Sequence, residues 1–381
     1  MTKPIYLDYN ATTPIDPVVA EAMVPYLTEH FGNPSSTHPY GLQARHAVET
    51  SRARVAALLG CRPAEVVFTS GGTESNNMAI KGVALAQPER RGHIITSAIE
   101  HPAVVEVCDW LEGQGFRITV LPVDGLGQVD PDDLARAMTP DTLLVTIMQA
   151  NNEVGAIQPV AALAEIAHAH GVLFHTDAAQ AVSKIPTRVE ELGVDLLSVA
   201  GHKLYAPKGV GALYIREGLR LPNLLHGAGQ EDGRRPGTEN VLEIVGLGQA
   251  CKEAGRDPEA ERARLRMLRD RLHTGLIDAL GEDRVRLNGH PEQRLPNTAS
   301  LSFRNVEANV LLAEINAAVA ASAGAACHAD SVSISSVLRA MDVPIDWAMG
   351  TVRFSVGRPT TPDEIDRAVT VVAEAVRRLA R

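Results

Sequence analysis

At the centre of the chain stands Ser198-Val-Ala-Gly-His-Lys-Leu-Tyr-Ala-Pro-Lys-Gly-Val-Gly211. An apolar run at 194–199 leads into it, and a second apolar run at 210–215 leads out of it. Short apolar runs bounded by glycine and proline are typical of buried strands. Lys203 therefore lies at the mouth of a strand, where an enzyme would place an amine that condenses with an aldehyde. The alternative is a solvated surface lysine beside a glycine turn.

Outward from this stretch, apolar runs alternate with helical patterns. Strand-like runs occur at 66–68, 93–97, 117–121, 143–148, 172–175 and 196–199, and helical patterns at 18–28, 41–59, 76–86, 103–114, 131–138 and 161–170. This alternation predicts a mostly parallel sheet covered by helices on both faces.

The pattern of predicted helices and strands changes near residue 256. A long arginine-rich helical pattern is followed there by short strands and further helices, at 259–280, 285–287, 298–303, 307–316 and 362–379. We predict a large α/β domain at 14–255 and a small α+β domain formed by 1–13 and 256–381.

The composition is that of an ordinary globular protein, with 45% hydrophobic and 22% charged residues among 381. The formal net charge of −10 argues against a general nucleic-acid-binding surface. We expect a cytoplasmic protein without a membrane segment, since no apolar stretch reaches spanning length. Four cysteines at 61, 108, 251 and 327 lack zinc-ligand spacing, so we predict no metal site. Three of them are expected to pack as small apolar side chains.

A candidate phosphate site follows the first strand of the large domain. The segment 66–77 runs from a strand through Gly71 and Gly72 into a helix. Free backbone amides at a helix N-terminus bind anions, and Thr73 adds a hydroxyl. The spacing fits neither the dinucleotide fingerprint nor the nucleotide P-loop, so a single phosphate is favoured, as in pyridoxal 5′-phosphate (PLP). The alternative is a turn that needs glycine only for its backbone angles.

Polar residues follow two other predicted strands. Asp177 comes after the strand at 172–175, where a carboxylate would keep the pyridine nitrogen of PLP protonated. Gln180 would donate to the phenolic oxygen of the ring, and His101 would stack on the ring and move protons. The carboxyl ends of parallel strands meet at one edge of a sheet, so these residues are expected to converge. An aspartate that caps a turn and a histidine packed on the surface are the alternatives.

Two residues of the small domain complete the candidate site. Cys327 lies in a stretch of alanine, serine and glycine that other groups can approach, although a buried structural thiol is the alternative. Arg353 lies on a strand-like run, and its guanidinium suits a carboxylate bound through two hydrogen bonds. The alternative for Arg353 is a surface ion pair.

Together these residues resemble the NifS/IscS-type cysteine desulfurases, in the class V aminotransferase group of PLP fold-type I enzymes. The resemblance covers nearly the whole chain, through Tyr-Leu-Asp-Tyr-Asn-Ala-Thr-Thr-Pro at 6–14, Asn-Pro-Ser-Ser-Thr-His at 33–38, Ser-Gly-Gly-Thr-Glu-Ser-Asn-Asn at 70–77, Glu-His at 100–101, Asn-Asn-Glu-Val-Gly at 151–155, Asp-Ala-Ala-Gln at 177–180, Gly-His-Lys at 201–203, Arg-Pro-Gly-Thr-Glu-Asn at 235–240, Gly-x-Ala-Cys at 324–327 and Arg-Phe-Ser-x-Gly at 353–357. Each motif is weak alone, but the ordered set is very specific.

The resemblance implies a role for each matching residue. Lys203 would be the Schiff-base lysine and general base, and Cys327 would attack the sulfur of L-cysteine to leave alanine and a persulfide. Asp177, His101, Gln180, Asn152, Gly72, Thr73, His202 and, from the other subunit of a homodimer, Thr238 would hold PLP, while Arg353 and Asn152 would bind the substrate carboxylate. The persulfide would pass to an acceptor protein for iron–sulfur cluster assembly, tRNA thiolation or DNA phosphorothioation, with no direct nucleic-acid binding expected.

The sequence also departs from the family. Ala200 replaces a serine that would donate a phosphate hydroxyl, the glycine-serine-alanine-cysteine motif has become Gly-Ala-Ala-Cys, and Ser333-Ile-Ser335 replaces Glu-Pro-Ser. Alternation of Val332 and Ile334 with serines is strand-like, so we hypothesise that the Cys327 segment is more ordered than in most relatives and that it holds Cys327 away from the cofactor until a substrate or partner shifts it.

Other functions stay open on the sequence alone. The nearest is a selenocysteine lyase, whose cysteine element is similar, and the DndA-type desulfurases of DNA phosphorothioation form a similar subgroup. A non-catalytic scaffold of this fold is disfavoured by the set of Lys203, Asp177, His101 and Cys327. A transaminase or kynureninase-like lyase is disfavoured because neither needs a thiol at position 327.

Overall fold

The computed structural model describes residues 3–86, 91–323, 327–328, 331–332 and 334–380, with side chains described outside 324–333. Its helices are α1 Pro17–Met23, α2 Pro25–Thr28, α3 Pro39–Leu59, α4 Gly72–Ala84, α5 Pro102–Glu112, α6 Pro131–Ala137, α7 Val160–Ala169, α8 Val189–Leu192, α9 Val241–Ala254, α10 Pro258–Leu280, α11 Ala308–Ile315, α12 Ser336–Ala340, α13 Ile345–Ala348 and α14 Pro362–Leu379. Its strands are β1 Ile5–Tyr6, β2 Val66–Thr69, β3 His93–Ser97, β4 Arg117–Leu121, β5 Thr142–Thr146, β6 Leu173–Asp177, β7 Leu196–Ala200, β8 Gly211–Ile215, β9 Val285–Asn288, β10 Thr298–Phe303, β11 Val319–Ala320, β12 Ser322–Ala323, β13 Cys327–His328, β14 Ser331–Val332 and β15 Thr351–Ser355.

The larger sheet among the described residues has seven strands in the order β2-β8-β7-β6-β5-β3-β4. Five of these strands, β3 to β7, pair in parallel, and β8 runs antiparallel to both of its neighbours. Buried side chains on the two faces of this sheet form separate apolar clusters with the surrounding helices. The predicted mostly parallel, helix-covered sheet is therefore confirmed.

The second sheet is antiparallel, with the order β12-β15-β10-β9. Helix α14 packs on it through residues such as Ile365, Ala368 and Val372, whose spacing places them on one helix face. Strand β1 pairs with β11, and Leu7 joins the same buried cluster. The N-terminal residues thus lie with the second sheet, while the domain boundaries at 13 and 256 stay predictions.

Several element bounds differ from those predicted. The single helix predicted at 18–28 is two helices, because Pro25 has no backbone N–H to donate within a continuous helix. Asp16 caps the first of them, since its side chain accepts a hydrogen bond from Val18 N at 2.9 Å. Asp177 is the last residue of β6 rather than the residue that follows a shorter strand. Helix α9 was not predicted at all.

Cys108 and Cys251 are buried and Cys61 is half-buried, and all three are free thiols. Burial raises the pKa of each of these thiols to about 12, so none is a thiolate near neutral pH. The described helices include none that is both long enough and apolar enough to cross a membrane.

Candidate active site

A cavity of about 400 Å³ opens at the carboxyl ends of β6 and β7. The predicted site residues that line it are Gly72, Thr73, His101, Asn152, Asp177, Gln180, His202, Lys203 and Arg353. Thr238 is exposed and is not part of this lining. The side chain of Cys327 lies outside the described residues. Among the predicted residues whose side chains are described, the chain therefore brings together all but Thr238, from segments that are far apart in sequence.

Lys203 follows β7 in a short 3-10 turn at 201–203. Its Nζ donates hydrogen bonds to the backbone carbonyls of Asn10, at 2.5 Å, and Ala11, at 2.8 Å. Burial lowers the pKa of Lys203 to about 8, and the positive charge of Arg353 contributes in the same direction. A large fraction of this amine is therefore neutral, and so nucleophilic, at mildly alkaline pH.

Asp177 is buried, and its carboxylate is held by two donors. Asn76 Nδ2 donates to Oδ2 at 2.7 Å, and the backbone N–H of Ala179 donates to Oδ1 at 2.9 Å. These two hydrogen bonds fix the orientation of the carboxylate at the cavity wall. A fixed carboxylate in this position suits a protonated ring nitrogen.

His101 is the N-cap of α5. Its Nδ1 accepts a hydrogen bond from Ala103 N at 3.1 Å, so the neutral ring carries its proton on Nε2. Burial lowers the pKa of His101, and Lys203 lowers it further, against the opposing charge of Asp177. The preceding Glu100 is buried, and this burial raises its pKa to about 8. His101 is therefore a neutral side chain whose Nε2–H is the available hydrogen-bond donor.

The start of α4 forms the predicted phosphate cradle. Gly71 has φ 150°, a conformation that favours glycine, and a Cβ on Gly72 would lie 3.2 Å from Ala200 Cβ. Nearby, His202 pairs with Thr12 Oγ1 at 3.1 Å through Nδ1, and burial lowers the pKa of His202 to about 4. Open amides at this helix N-terminus, the hydroxyl of Thr73 and a neutral histidine suit one phosphate group.

Arg353 lies on β15 and reaches the cavity from the second sheet. One terminal nitrogen donates to Asp8 Oδ1 at 2.8 Å, and the other donates to the backbone carbonyl of Asn152 at 3.1 Å. Its Nε is buried and has no hydrogen-bond partner among the described residues. A buried donor without a partner is costly, so this guanidinium has capacity for a further acceptor such as a carboxylate.

Sequence reasoning missed Asn10, which is buried at the centre of this site. Its carbonyl accepts from Gln180 Nε2 at 2.9 Å as well as from Lys203, and its Nδ2 donates to Thr298 Oγ1 at 2.8 Å. Lys184 is also buried, and its Nζ donates to Gln180 Oε1 at 2.7 Å. The signal for Asn10 was present, because it belongs to the motif at 6–14.

The carboxylate, the amine and the amide-rich helix N-terminus are the groups that PLP needs for its ring nitrogen, its aldehyde and its phosphate. They line one cavity whose volume is within the range of small-molecule sites. The residues present therefore fit this cofactor.

Similar proteins point to the same chemistry. Residues 5–368 match the family described as aminotransferase class-V. The chain is 49% identical to a cysteine desulfurase IscS of Methanosarcina thermophila over 378 residues, which cover 99% of this chain and 93% of that protein.

Solved structures agree in fold. A NifS-like protein superposes with a TM-score of 0.92 at 38% identity, covering 99% of this chain and all of the other. SspA in complex with cysteine gives a TM-score of 0.83 at 36% identity (93% and 99% covered), and DndA from Streptomyces lividans gives 0.76 at 38% (92% and 99% covered). The chain belongs to the aminotransferase class-V family, whose cysteine desulfurase members are PLP-dependent enzymes.

Proposed function

We propose that this enzyme takes sulfur from L-cysteine and leaves L-alanine. The carbon–sulfur bond of the substrate breaks, the sulfur forms a new bond to the thiolate of Cys327, and a proton is added to the substrate carbon. Cysteine and the enzyme thiol thus become alanine and an enzyme persulfide, with no external oxidant or reductant. When bound, PLP withdraws electrons from the substrate and so weakens the bonds at its α- and β-carbons.

The observation that carries this proposal is the presence of Lys203, Asp177 and Arg353 on one cavity. Lys203 binds the cofactor through its amine and then moves protons on the substrate carbons. Asp177 keeps the ring nitrogen protonated, and Arg353 binds the substrate carboxylate together with Asn152. The buried, unpartnered Nε of Arg353 supports this carboxylate-binding role.

The other lining residues hold the cofactor. Gly72, Thr73 and His202 bind its phosphate, His101 stacks on its ring, and Asn152 and Gln180 bind its phenolic oxygen. Gln180 keeps a donor available for this bond because Lys184 occupies its amide oxygen and only one of its two N–H groups is used by Asn10.

Cys327 supplies the sulfur-accepting thiolate. Its backbone lies in β13, which pairs with β14 in the register Cys327 with Val332 and His328 with Ser331. A free cysteine titrates near pKa ~8.5, so a neighbouring base must accept its proton. His101 and Lys203 are the candidates. It stays a prediction that this segment holds Cys327 away from the cofactor until substrate or a partner shifts it.

The persulfide then passes to an acceptor protein, and the working form is a homodimer. Exposure of Thr238 supports the dimer, because this hydroxyl is free to reach the phosphate site of another copy. Iron–sulfur cluster assembly, tRNA thiolation and DNA phosphorothioation stay the predicted uses of the sulfur.

Product analysis tests the reaction. The PLP-loaded enzyme and its Cys327→Ala variant receive cysteine or selenocysteine in separate assays with a thiol reductant, and sulfide, selenide and alanine are quantified. We expect sulfide and alanine in equal amounts from cysteine, and a loss of at least about 100-fold in the variant, because the nucleophile is absent. Cys61→Ala is the matched control and keeps full activity, since Cys61 does not line the cavity.

Two outcomes would contradict the proposal. Selenide without sulfide, or selenide that survives in Cys327→Ala, would identify a selenocysteine lyase. A protein that stays colourless with added PLP would identify a non-catalytic scaffold.

A further inference from the structure

A second cavity, of about 670 Å³, lies between the start of α7 and the face of α10. The described residues that line it include none of those that line the active-site cavity. Its walls are joined by backbone hydrogen bonds, from Ile157 N to Gln293 O at 3.0 Å and from Leu295 N to Gly155 O at 2.9 Å. These two bonds fix the segment 293–295 beside the segment 155–157.

Arg294 is the buried cation of this cavity. It is only 4% exposed, and it donates to the backbone carbonyls of Thr298, at 2.9 Å, and Val154, at 3.1 Å. No carboxylate among the described residues forms an ion pair with it, and one terminal nitrogen has no hydrogen-bond partner. Burial lowers the pKa of Arg294 to about 9, and the charge of Arg269 acts in the same direction, against the opposing charge of Asp270. A buried charge without an ion pair is costly, and a bound anion would reduce that cost.

Two further arginines face the same cavity from α10. Arg262 and Arg266 are one helical turn apart, so both lie on the helix face that lines the cavity. Arg262 forms an ion pair with Glu259 at 3.3 Å, but its Nε is buried and unpartnered among the described residues. Arg266 has no ion pair within the described part of the chain. Three guanidinium groups therefore line one cavity with donors to spare, in a protein of net charge −10.

The lining also presents acceptors. Glu292 contributes a carboxylate, and the side-chain oxygen of Gln149 is buried without a hydrogen-bond partner among the described residues. Gln149 Nε2 is used, since it donates to the carbonyl of Pro186 at 2.7 Å. A ligand that satisfies this cavity needs oxygen acceptors for the guanidinium groups and at least one hydroxyl or amine donor.

We propose that this cavity binds a small anionic metabolite, one that carries a carboxylate or phosphate group together with a hydroxyl or amine. Arginine binds both kinds of anion through paired hydrogen bonds. The site shares no lining residue with the PLP site, although Lys184 on its wall donates to Gln180 Oε1 at 2.7 Å, and it does not depend on the proposed reaction.

Calorimetric titration of the PLP-loaded enzyme tests this site, because the phosphate cradle at α4 is then filled. The probes are citrate, which carries carboxylates and a hydroxyl, and glycerol 3-phosphate, which carries a phosphate and two hydroxyls. We expect one equivalent of at least one probe to bind, and Arg262→Ala and Arg266→Ala each to weaken it at least about tenfold through loss of a charge-assisted hydrogen bond. Arg294→Gln is expected to weaken it further.

The matched control is Arg271→Ala, which removes the same charge from the same helix at a residue that pairs with Asp366 outside the cavity. It is expected to leave binding unchanged. Circular dichroism and bound-PLP absorbance establish that each variant is folded, and Arg266→Ala keeps the test valid if Arg294→Gln does not fold. Failure of both probes to bind, binding that survives Arg262→Ala and Arg266→Ala, or an equal loss in Arg271→Ala would overturn the proposal.

Discussion

At the scale of single residues, the surroundings of Lys203 set both the position and the pKa of its amine. Two backbone carbonyls accept its hydrogens, and burial together with the charge of Arg353 lowers its pKa to about 8. The carbonyls hold the amine at one place in the cavity, while burial makes its neutral form accessible near physiological pH.

This pKa predicts how the apo-enzyme captures its cofactor. Only the neutral amine attacks an aldehyde, so the rate of PLP capture is expected to rise about tenfold per pH unit below 8 and to level off above it. Arg353→Gln removes a charge that disfavours the protonated amine, so its profile is expected to move to higher pH. Stopped-flow absorbance of PLP between pH 6 and 10 measures both profiles.

Arg304→Gln is the control for this experiment, because Arg304 is exposed and pairs with Asp346 outside the cavity. Its profile is expected to match that of the unmodified enzyme. Equal profiles for Arg353→Gln and Arg304→Gln would contradict the assigned cause of the low pKa.

Sequence reasoning placed Lys203, Asp177 and His101 at one edge of the sheet, where the carboxyl ends of parallel strands lie, and all three line one cavity. It did not find the contacts of Asn10. Those contacts join residues 193 positions apart for Lys203 and 288 apart for Thr298, and they depend on how two sheets meet. No local pattern encodes such a contact, whereas a strand end is a local feature.

At the scale of elements, α9 shows why a helix was overlooked. Its interior contains Gly246 and Gly248, which lower intrinsic helix propensity. A Cβ on Gly248 would lie 2.6 Å from Ser51 Cα on α3, and one on Gly246 would lie 2.8 Å from Met23 Sδ. Close packing against neighbouring helices therefore requires both glycines, and that tertiary reason is invisible in a propensity count.

Strand β6 carries a buried histidine that makes the stability of the fold depend on pH. His175 is fully buried, its ring nitrogens contact Thr146 Oγ1 at 2.8 Å and Ser198 Oγ at 3.0 Å, and burial lowers its pKa to about 3. In the unfolded chain, histidine titrates near ~6.5. The contribution of neutral His175 to the free energy of unfolding is therefore present above pH ~6.5 and is lost as the pH falls from there towards 3.

This linkage predicts a specific effect of His175→Gln. Between pH 7 and pH 5, the free energy of unfolding is expected to fall by about 2 kcal/mol less in the variant than in the unmodified enzyme. Urea unfolding of the PLP-loaded proteins at the two pH values measures the difference. His46→Gln, at an exposed position on α3, is expected to keep the original pH dependence. An unchanged pH dependence in His175→Gln would contradict the burial argument.

At the scale of the whole molecule, exposed apolar side chains gather along one part of the chain. We call this group the N-terminal apolar patch: Val24, Leu27, Phe31, Tyr40 and Leu42, which are 49% to 70% exposed. The rings of Phe31 and Tyr40 stack with their centroids 5.5 Å apart. Apolar patches of this kind mark protein–protein contacts, and a two-fold homodimer is the commonest arrangement that covers one.

Phe31→Asp tests the proposed homodimer. A carboxylate buried in the dimer interface at position 31 is expected to shift the protein to monomer in sedimentation velocity. In the proposed homodimer Thr238 of one subunit reaches the phosphate of the other, so the variant is also expected to bind PLP several-fold more weakly. Ile345→Asp is the matched control, since Ile345 is 68% exposed on α13 and belongs to a different part of the chain. A Phe31→Asp protein that stays dimeric would contradict this use of the patch.

The contacts of the N-terminal segment also bear on the order in which the protein assembles during synthesis. Asn10 N donates to Ser355 Oγ at 2.9 Å across 345 residues, and Asp8 pairs with Arg353 across the same distance in sequence. At typical translation rates, roughly 20 to 70 s separate the synthesis of these partners. The segment whose carbonyls bind Lys203 is thus the first part of the cavity to leave the ribosome. Its contacts with Arg353 and Ser355 are among the last that can form. A nascent chain arrested before Ser355 is therefore expected to have a folded parallel sheet but a lower affinity for PLP, because the segment that carries the carbonyls of Asn10 and Ala11 lacks its contact with Ser355.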